Sequence, residues 1–181
     1  MKAKHLKQRV DACIALSKLS TCCRRQFGCV VLDPSSNVVV SDSYNGPLRN
    51  SAGDLCGGGS CLREKIQSGQ QLEVGCVHAE QDAIYNATRR GVSLVGCWLF
   101  VNGEPCLLCA KAIVQVGITR VFCIGGGYST DEGIDLLENN GVAAHTLPAD
   151  ATEDDYNGVL SVAMGIPLPR FGQVISRTPF N

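Results

Sequence analysis

Four side chains near the middle of the chain have the types and the spacing to hold a metal ion and to move protons beside it. His78 and Glu80 occur in the run Cys-Val-His-Ala-Glu, and a second run, Glu-Pro-Cys-Leu-Leu-Cys, contains Cys106 and Cys109. One imidazole and two thiolates are typical zinc ligands, and three protein ligands leave a tetrahedral position open, as catalytic zinc sites do. Zinc lowers the pKa of the water that it binds, and Glu80 is placed to accept that proton and pass it on. The pattern predicts a catalytic zinc centre.

Two predicted helices and the strand between them would bring these side chains together. The first helix is predicted at residues 78–90, the strand at 94–101 and the second helix at 105–116. Cys106 and Cys109 occupy positions i and i+3 of the second helix and therefore share a face. The exposed N–H groups and the dipole of a helix N-terminus also favour a thiolate over a thiol.

Neither half of this pattern is specific alone. Cys-x-x-Cys also occurs in redox pairs and in structural zinc sites, and a single His-x-Glu is a weaker signal. Together, H-x-E followed by P-C-x-x-C across a helix-strand-helix unit is the signature of zinc nucleobase deaminases. On a cytosine ring the attack would fall on C4, and Glu80 would protonate N3 and then the departing amine. The products would be a uracil ring and ammonia.

The remaining elements predict an α/β fold. Apolar residues at a spacing near 3.6 indicate an amphipathic helix, and β-branched runs around Asp-Pro-Ser-Ser-Asn indicate an antiparallel hairpin. The later half alternates strand and helix, which implies parallel strands with helices on both faces of a sheet. These elements are predicted at residues 4–20 (helix), 27–32 and 38–40 (hairpin strands), 120–124 (strand), 131–140 (helix) and 142–147 (strand).

One catalytic domain is predicted at residues 1–147, because a chain of 181 residues is short for two independent domains. It includes an irregular insert at residues 45–77 with seven glycines and three cysteines. A loop this long in a compact domain is usually functional or held in place by something. Residues 148–181 are predicted to be a C-terminal tail that packs on the body or on a neighbouring subunit.

Composition and charge argue against nucleic-acid and membrane partners. The formal net charge is −1 and the basic residues are spread along the chain, whereas a protein that grips a nucleic-acid backbone presents a basic stripe. No run approaches the roughly 18 apolar residues of a membrane span, and no signal peptide is recognisable, so a cytoplasmic protein is expected. The eleven cysteines are then expected as metal ligands and buried thiols. Those in apolar patterns, predicted to be core residues, are Cys13, Cys29, Cys97 and Cys123.

Over about residues 4–147 the chain resembles the deoxycytidylate (dCMP) deaminases of the cytidine-deaminase-like superfamily. The resemblance implies a three-layer α/β/α sandwich with a five-stranded mixed sheet, conversion of dCMP to dUMP, and a homo-oligomer that is often a hexamer. It also implies activation by dCTP with Mg²⁺ and inhibition by dTTP, in a bacterial cytoplasm or, for a phage protein, in that of the host. The matching runs are Ser20-Thr21-Cys22-Cys23-Arg24, Phe27-Gly28-Cys29-Val30-Val31, Tyr44-Asn45-Gly46, the insert with Cys56, Cys61-Leu62-Arg63 and Cys76, and His78-Ala79-Glu80-Gln81.

The resemblance implies roles for further residues. Asn45, with Gly46, would bind the sugar of the substrate. Arg89 lies where the family's helix carries an arginine tied to nucleotide binding or regulation, and a solvated surface charge is the alternative. Tyr128 would stack near the base or phosphate, or be an ordinary loop aromatic. A second, structural zinc is also implied, and the alternative is that some of its ligands are ordinary thiols. Cys23 competes with Cys22 as a ligand, and the implied set is Cys22, Cys56, Cys61 and Cys76.

Three positions depart from the pattern of the family. Asp82 stands where an asparagine is usual, and Val101-Asn102-Gly103 stands where a threonine usually precedes the Pro-Cys motif. Residues 46–50 lack the usual glycine-rich continuation. These changes leave the zinc chemistry intact and leave the exact substrate and the dCTP response open.

Other functions therefore remain open. The chain could deaminate another free base or nucleotide, such as a 5-substituted dCMP, a nucleoside or a guanine-like ring. A tRNA adenosine deaminase is disfavoured by the acidic balance and by the cysteine-bearing insert. A non-catalytic, zinc-stabilised regulatory subunit is disfavoured by Glu80, because a structural zinc site has no use for that carboxylate.

Overall fold

The computed structural model describes residues 2–49, 61, 63, 75–125 and 132–165. Within these ranges the chain forms five helices and five strands. None of the described helices combines the length and the apolar character that a membrane crossing requires. The elements, in chain order, are α1 (Ala3–Ser17), β1 (Gly28–Asp33), β2 (Val38–Tyr44), α2 (Ala79–Arg89), β3 (Trp98–Val101), α3 (Leu107–Gln115), β4 (Arg120–Ile124), α4 (Glu132–Asn139), β5 (Ala143–Leu147) and α5 (Glu153–Gly165).

The strands form one mixed sheet in the order β2-β1-β3-β4-β5. β1 pairs antiparallel with both β2 and β3, whereas β3, β4 and β5 pair in parallel. β1 is buried from Gly28 to Leu32, as expected for an apolar strand that is covered on both faces. The predicted five-stranded mixed sheet is confirmed.

Helices cover both faces of this sheet. α2, α3 and α4 enclose an apolar cluster on one face that includes Leu99 and Ile113. α1 and α5 enclose a second cluster on the other face that includes Leu6, Phe100 and Phe122. The architecture is the three-layer α/β/α sandwich that the resemblance implied.

Some elements begin or end at residues other than those predicted. α1 ends at Ser17, because the next residues form a turn. β3 begins at Trp98 instead of residue 94, because Gly96, with φ 81°, lies in a tight turn before it. α3 begins at Leu107, since Cys106 is still extended at φ −73° and ψ 167°.

The second hairpin strand, β2, continues to Tyr44, well beyond its predicted end at residue 40. Ser41 and Ser43 are buried, whereas Asp42 and Tyr44 are exposed. The hydroxyl of Ser41 donates a 2.7 Å hydrogen bond to the carbonyl oxygen of Ala83 in α2. Hydroxyl groups therefore take the inward positions of an ordinary strand, and a prediction based on β-branched residues ends too early.

Helix α5 forms in the segment after residue 148, where no helix was predicted. It lies against α1 and β5 and buries Tyr156 and Ala163. Its start carries a reciprocal cap, because the N–H of Thr152 donates to the carboxylate of Asp155 at 2.7 Å and the N–H of Asp155 donates to the hydroxyl of Thr152 at 3.4 Å. Thr-x-x-Asp before an apolar helix is a recognised start signal, so this helix could have been predicted.

At Gly28 the sheet packs closely against the backbone of α1. A Cβ at this position would lie 2.1 Å from the carbonyl oxygen of Cys13 and 2.8 Å from the backbone nitrogen of Ser17. The helix backbone would have to move away from β1 to admit even a methyl group.

We therefore expect Gly28→Ala to lower the free energy of unfolding by about 3 kcal/mol, the upper part of the range for overpacked cores. At this chain length the thermal midpoint would fall by roughly 6–12 °C, measured by calorimetry. Gly158→Ala in α5 is the control, because a Cβ there has nothing within 4 Å. Equal midpoints for the two variants would contradict the close packing of α1 on β1.

Candidate active site

His78, Cys106 and Cys109 converge between the starts of α2 and α3. Their ligand atoms all lie within 4.8 Å of one another. The Nδ1 atom of His78 lies 3.4 Å from the sulfur of each cysteine. No other three metal-ligating side chains come this close within the part of the chain that the structure describes.

Two helix N-termini place these ligands. His78 is the N-cap residue of α2, and its backbone N–H donates a 3.2 Å hydrogen bond to the Gln81 side chain. Cys106 is the N-cap residue of α3, and its carbonyl oxygen accepts the first helical hydrogen bond at 2.8 Å. Cys109 follows one turn later and is fully buried. The predicted arrangement of helix, strand and helix is what brings the three side chains together.

Glycine at position 133 fixes α4 against the start of α3. A Cβ at Gly133 would lie 1.8 Å from the carbonyl oxygen of Pro105. Only the absence of a side chain allows this approach. The backbone that leads into Cys106 is therefore supported directly by the neighbouring helix.

The pKa values of the two cysteine thiols are shifted in opposite directions. A hydrogen bond from the Cys109 thiol, with help from His78, lowers the pKa of Cys106 to about 4 against the effect of burial. The same hydrogen bond, together with burial, raises the pKa of Cys109 well above its usual value. The hydrogen bond with Cys106 raises the pKa of His78 against the effect of burial. One thiolate therefore forms readily, and a cation is needed to favour the second.

Glu80 lies in the first turn of α2 and is 5% exposed. Burial raises the pKa of its carboxyl group overall, although the nearby His78 and a hydrogen bond with the Cys109 thiol act in the opposite direction. The carboxyl group therefore adjoins the three ligands without being one of them. This is the position that proton transfer to and from a reacting group requires.

The three ligands fit a zinc ion. Tetrahedral zinc with sulfur at about 2.3 Å and nitrogen at about 2.0 Å requires roughly 3.5 Å between a sulfur and a nitrogen ligand. The observed separations of 3.4 Å meet this requirement without rearrangement. Two soft thiolates with an imidazole also favour zinc over a hard cation such as magnesium.

The Asn45 side chain, assigned to the substrate sugar by the resemblance, holds the chain that leads into β1. It is buried, its Oδ1 accepts a 2.8 Å hydrogen bond from the N–H of Phe27, and its Nδ2 donates at 2.9 Å to the carbonyl of Arg25. An amide has further donor and acceptor capacity beyond these two bonds. A contact with the sugar stays a prediction.

Asn102 makes the matching contacts from the end of β3. Its Oδ1 accepts a 2.6 Å hydrogen bond from the N–H of Gly28, and its Nδ2 donates at 3.1 Å to the carbonyl of Gln26. The next residue, Gly103, packs so closely on the ring of Phe27 that a Cβ there would lie 2.4 Å from it. We call residues 25–28 the bracketed segment, since two asparagines hold it from both sides. The sequence flagged Asn102 only as a departure and did not predict this role.

The other predicted binding residues have different surroundings. Gly46 forms an isolated β-bridge with Val77, next to His78. Arg89 is exposed and borders a surface cavity of about 360 Å³. Tyr128 lies outside the described residues.

The predicted second zinc site is described only in part. Burial raises the pKa of Cys22, but hydrogen bonds from the backbone of Arg25 and Arg24 and from the Cys76 thiol lower it overall. Cys22 therefore lies beside Cys76. Cys61 is buried, and Cys56 lies outside the described residues.

The sandwich and the three converging ligands have the H-x-E and P-C-x-x-C pattern that is typical of zinc-dependent nucleobase deaminases. The family model of the cytidine and deoxycytidylate deaminase zinc-binding region matches residues 3–124. The chain belongs to this family.

Individual relatives agree with this assignment. The chain is 32% identical to the deoxycytidylate deaminase of Saccharomyces cerevisiae over 132 residues, which is 72% of this chain and 40% of the yeast protein. It is 38% identical to the deoxycytidylate deaminase of Enterobacteria phage T2 over 73 residues, which is 40% of this chain and 39% of the phage protein. The matched region thus spans about two fifths of each relative.

A solved structure shares the fold. The dCMP deaminase of cyanophage S-TIM5, in complex with dCMP and dUMP, superimposes with a TM-score of 0.67 at 24% identity. The match covers 81% of this chain and 99% of the phage chain. At this identity the likeness supports the architecture described above.

Proposed function

We propose that this protein catalyses the hydrolytic deamination of dCMP to dUMP and ammonia, with one zinc ion held by His78, Cys106 and Cys109. The observation that carries the proposal is the convergence of these ligand atoms within 4.8 Å, beside the buried carboxyl group of Glu80. The names of the yeast and phage T2 relatives support dCMP as the substrate. The alternative is another free base or nucleotide with the same chemistry.

Glu80 carries the protons in the proposed reaction. Zinc, when bound, would supply a Lewis acid that makes water acidic near neutral pH. Glu80 would take a proton from the attacking water and deliver it to N3 while the C4–O bond forms. It would then carry the proton of the new C4 hydroxyl to the amine, so that the C4–N bond breaks, ammonia leaves and the C4 carbonyl of uracil forms. Because Glu80 is 5% exposed, bulk water has little access to these protons.

The proposal extends to regulation and assembly. Activation by dCTP with Mg²⁺, inhibition by dTTP and a hexamer derive from the resemblance, and the expected cytoplasmic location stays part of the proposal. Arg89 and Arg90 border one cavity together with Arg49 and Asp42. Arg49 is paired with Asp82, so the positive charge of Arg89 and Arg90, against the one carboxylate of Asp42, supports an anionic ligand there. A second zinc at Cys22, Cys56, Cys61 and Cys76 also derives from the resemblance alone.

Product formation by the zinc-loaded protein tests the substrate. We expect conversion of dCMP to dUMP, followed by mass, with CMP, 5-methyl-dCMP, deoxycytidine and guanine as competing substrates. Faster turnover with dCTP and Mg²⁺ would support the proposed regulation. If dCMP is untouched while another ring loses its amine, the substrate assignment is wrong and the zinc chemistry stands.

A further inference from the structure

Two of the departures from the family's pattern touch each other. Arg49, in the loop without the usual glycines, places Nη2 3.2 Å from the Oδ2 atom of Asp82. The same Oδ2 atom accepts a hydrogen bond from the hydroxyl of Ser43. Arg49 also donates a 2.6 Å hydrogen bond to the Oδ1 of Asn86, one turn further along α2. Asp82, which departs from the family's pattern, therefore forms an ion pair with Arg49, which lies in a loop that departs from it.

The other end of this loop is attached beside a metal ligand. The N–H of Gly46 donates to the carbonyl of Val77 at 3.1 Å, and the N–H of Val77 donates to the carbonyl of Gly46 at 2.8 Å. Val77 immediately precedes His78. Residues 46–49 are therefore fastened at both ends along the start of the helix that carries His78 and Glu80.

The solvent exposure of Arg49 and Asp82 indicates that their ion pair positions the loop more than it stabilises the fold. The side chains of Arg49 and Asp82 are 56% and 22% exposed, and ion pairs this open to solvent add little to the free energy of unfolding. Ser43 is 6% exposed, and its hydroxyl lies against the Asp82 carboxylate and 3.4 Å from the carbonyl oxygen of Tyr44. An asparagine at position 82 could still accept from Ser43 but would offer Arg49 no charge.

We propose that Arg49 and Asp82 act as one positioning unit, which fixes residues 46–49 over the start of α2 and thereby sets the affinity for the substrate. This inference rests on the proposed function, because the affected property is the binding of dCMP. Neither residue is catalytic. Each residue affects substrate binding through the loop, and this effect requires the other residue of the pair.

Steady-state kinetics of Asp82→Asn, Arg49→Met and the double variant test this unit. We expect each single change to raise KM for dCMP about three- to fivefold, the most that an ion pair this open to solvent supplies, with kcat altered less than about twofold. The double variant should be no worse than the worse single variant, because the second change removes a partner that is already lost. Asp11→Asn is the control, since it breaks an exposed 2.7 Å pair with Lys7 on α1. Its KM should match that of the unaltered protein.

Hydrogen exchange supplies a readout that does not depend on turnover. The amide hydrogens of Gly46 and Val77 should exchange faster in both single variants than in the unaltered protein. In Asp11→Asn their exchange rates should be unchanged, and the zinc content should be the same in all variants. Unchanged exchange in the single variants, or KM effects that multiply in the double variant, would overturn the positioning unit. If exchange responds as expected but the unaltered protein leaves dCMP intact, the proposed substrate fails and the fastening of the loop stands.

Discussion

Glu80→Gln is expected to lower kcat for dCMP deamination by about a thousandfold, within the range that a positioned general acid and base contributes. The amide has the shape of the carboxyl group but cannot accept a proton and return it. Because Glu80 is buried, no solvent base replaces it. Mass detection of dUMP and metal analysis of the same sample measure the effect, and zinc content should be unchanged.

The matched control is Glu138→Gln, an exposed carboxylate in α4. It removes the same charge from a helix without approaching the metal cluster and should retain full activity. A Glu80→Gln protein that keeps its activity would refute the proton transfer proposed here. Loss of zinc in that variant would instead assign Glu80 to the metal site itself.

Cys109→Ala is expected to weaken zinc binding by more than about 100-fold, since changes at residues that merely support the ligands already cost about 10–100-fold. Deamination should fall with zinc content, because two ligands cannot hold the ion in the geometry that the reaction needs. Competition with a chromogenic chelator measures the affinity. Removing zinc from the unaltered protein with a chelator should abolish activity, and adding zinc should restore it.

Cys123→Ala is the control that distinguishes the loss of a metal ligand from the loss of buried side-chain packing. Cys123 is as fully buried as Cys109, but it belongs to β4 and lies outside the metal cluster. We expect it to keep zinc and activity. If both alanine variants bind zinc equally well, Cys109 is not a ligand.

The convergence of His78, Cys106 and Cys109 and the parallel part of the sheet could be predicted from the sequence, because both depend on short patterns. The spacing of Cys106 and Cys109 specifies one face of a helix, and an alternating series of strands and helices specifies a parallel sheet. These inferences need only local geometry. The buried Glu80 could be assigned a task for the same reason, since it lies within a turn of His78.

The contacts that support the site could not be predicted, because their partners are distant in sequence. Asn102 bonds to backbone groups 74 and 76 residues away, and Arg49 meets Asp82 across 33 residues. No periodicity or spacing links such positions. The inward serines of β2 were missed for a related reason, since the hydroxyl groups of both donate to acceptors in α2 that are about 40 residues away.

The bracketed segment has a consequence for the order of folding. Its asparagine contacts span 18 to 76 residues, and contacts of high sequence separation pay loop-closure entropy before they return any free energy. β3 must dock beside β1 before Asn102 can reach the segment. His78 and the two cysteines, 28 and 31 residues apart on either side of β3, come together in the same event. We therefore expect the nascent chain to become competent for metal only late in folding, when the central strand of the sheet is in place.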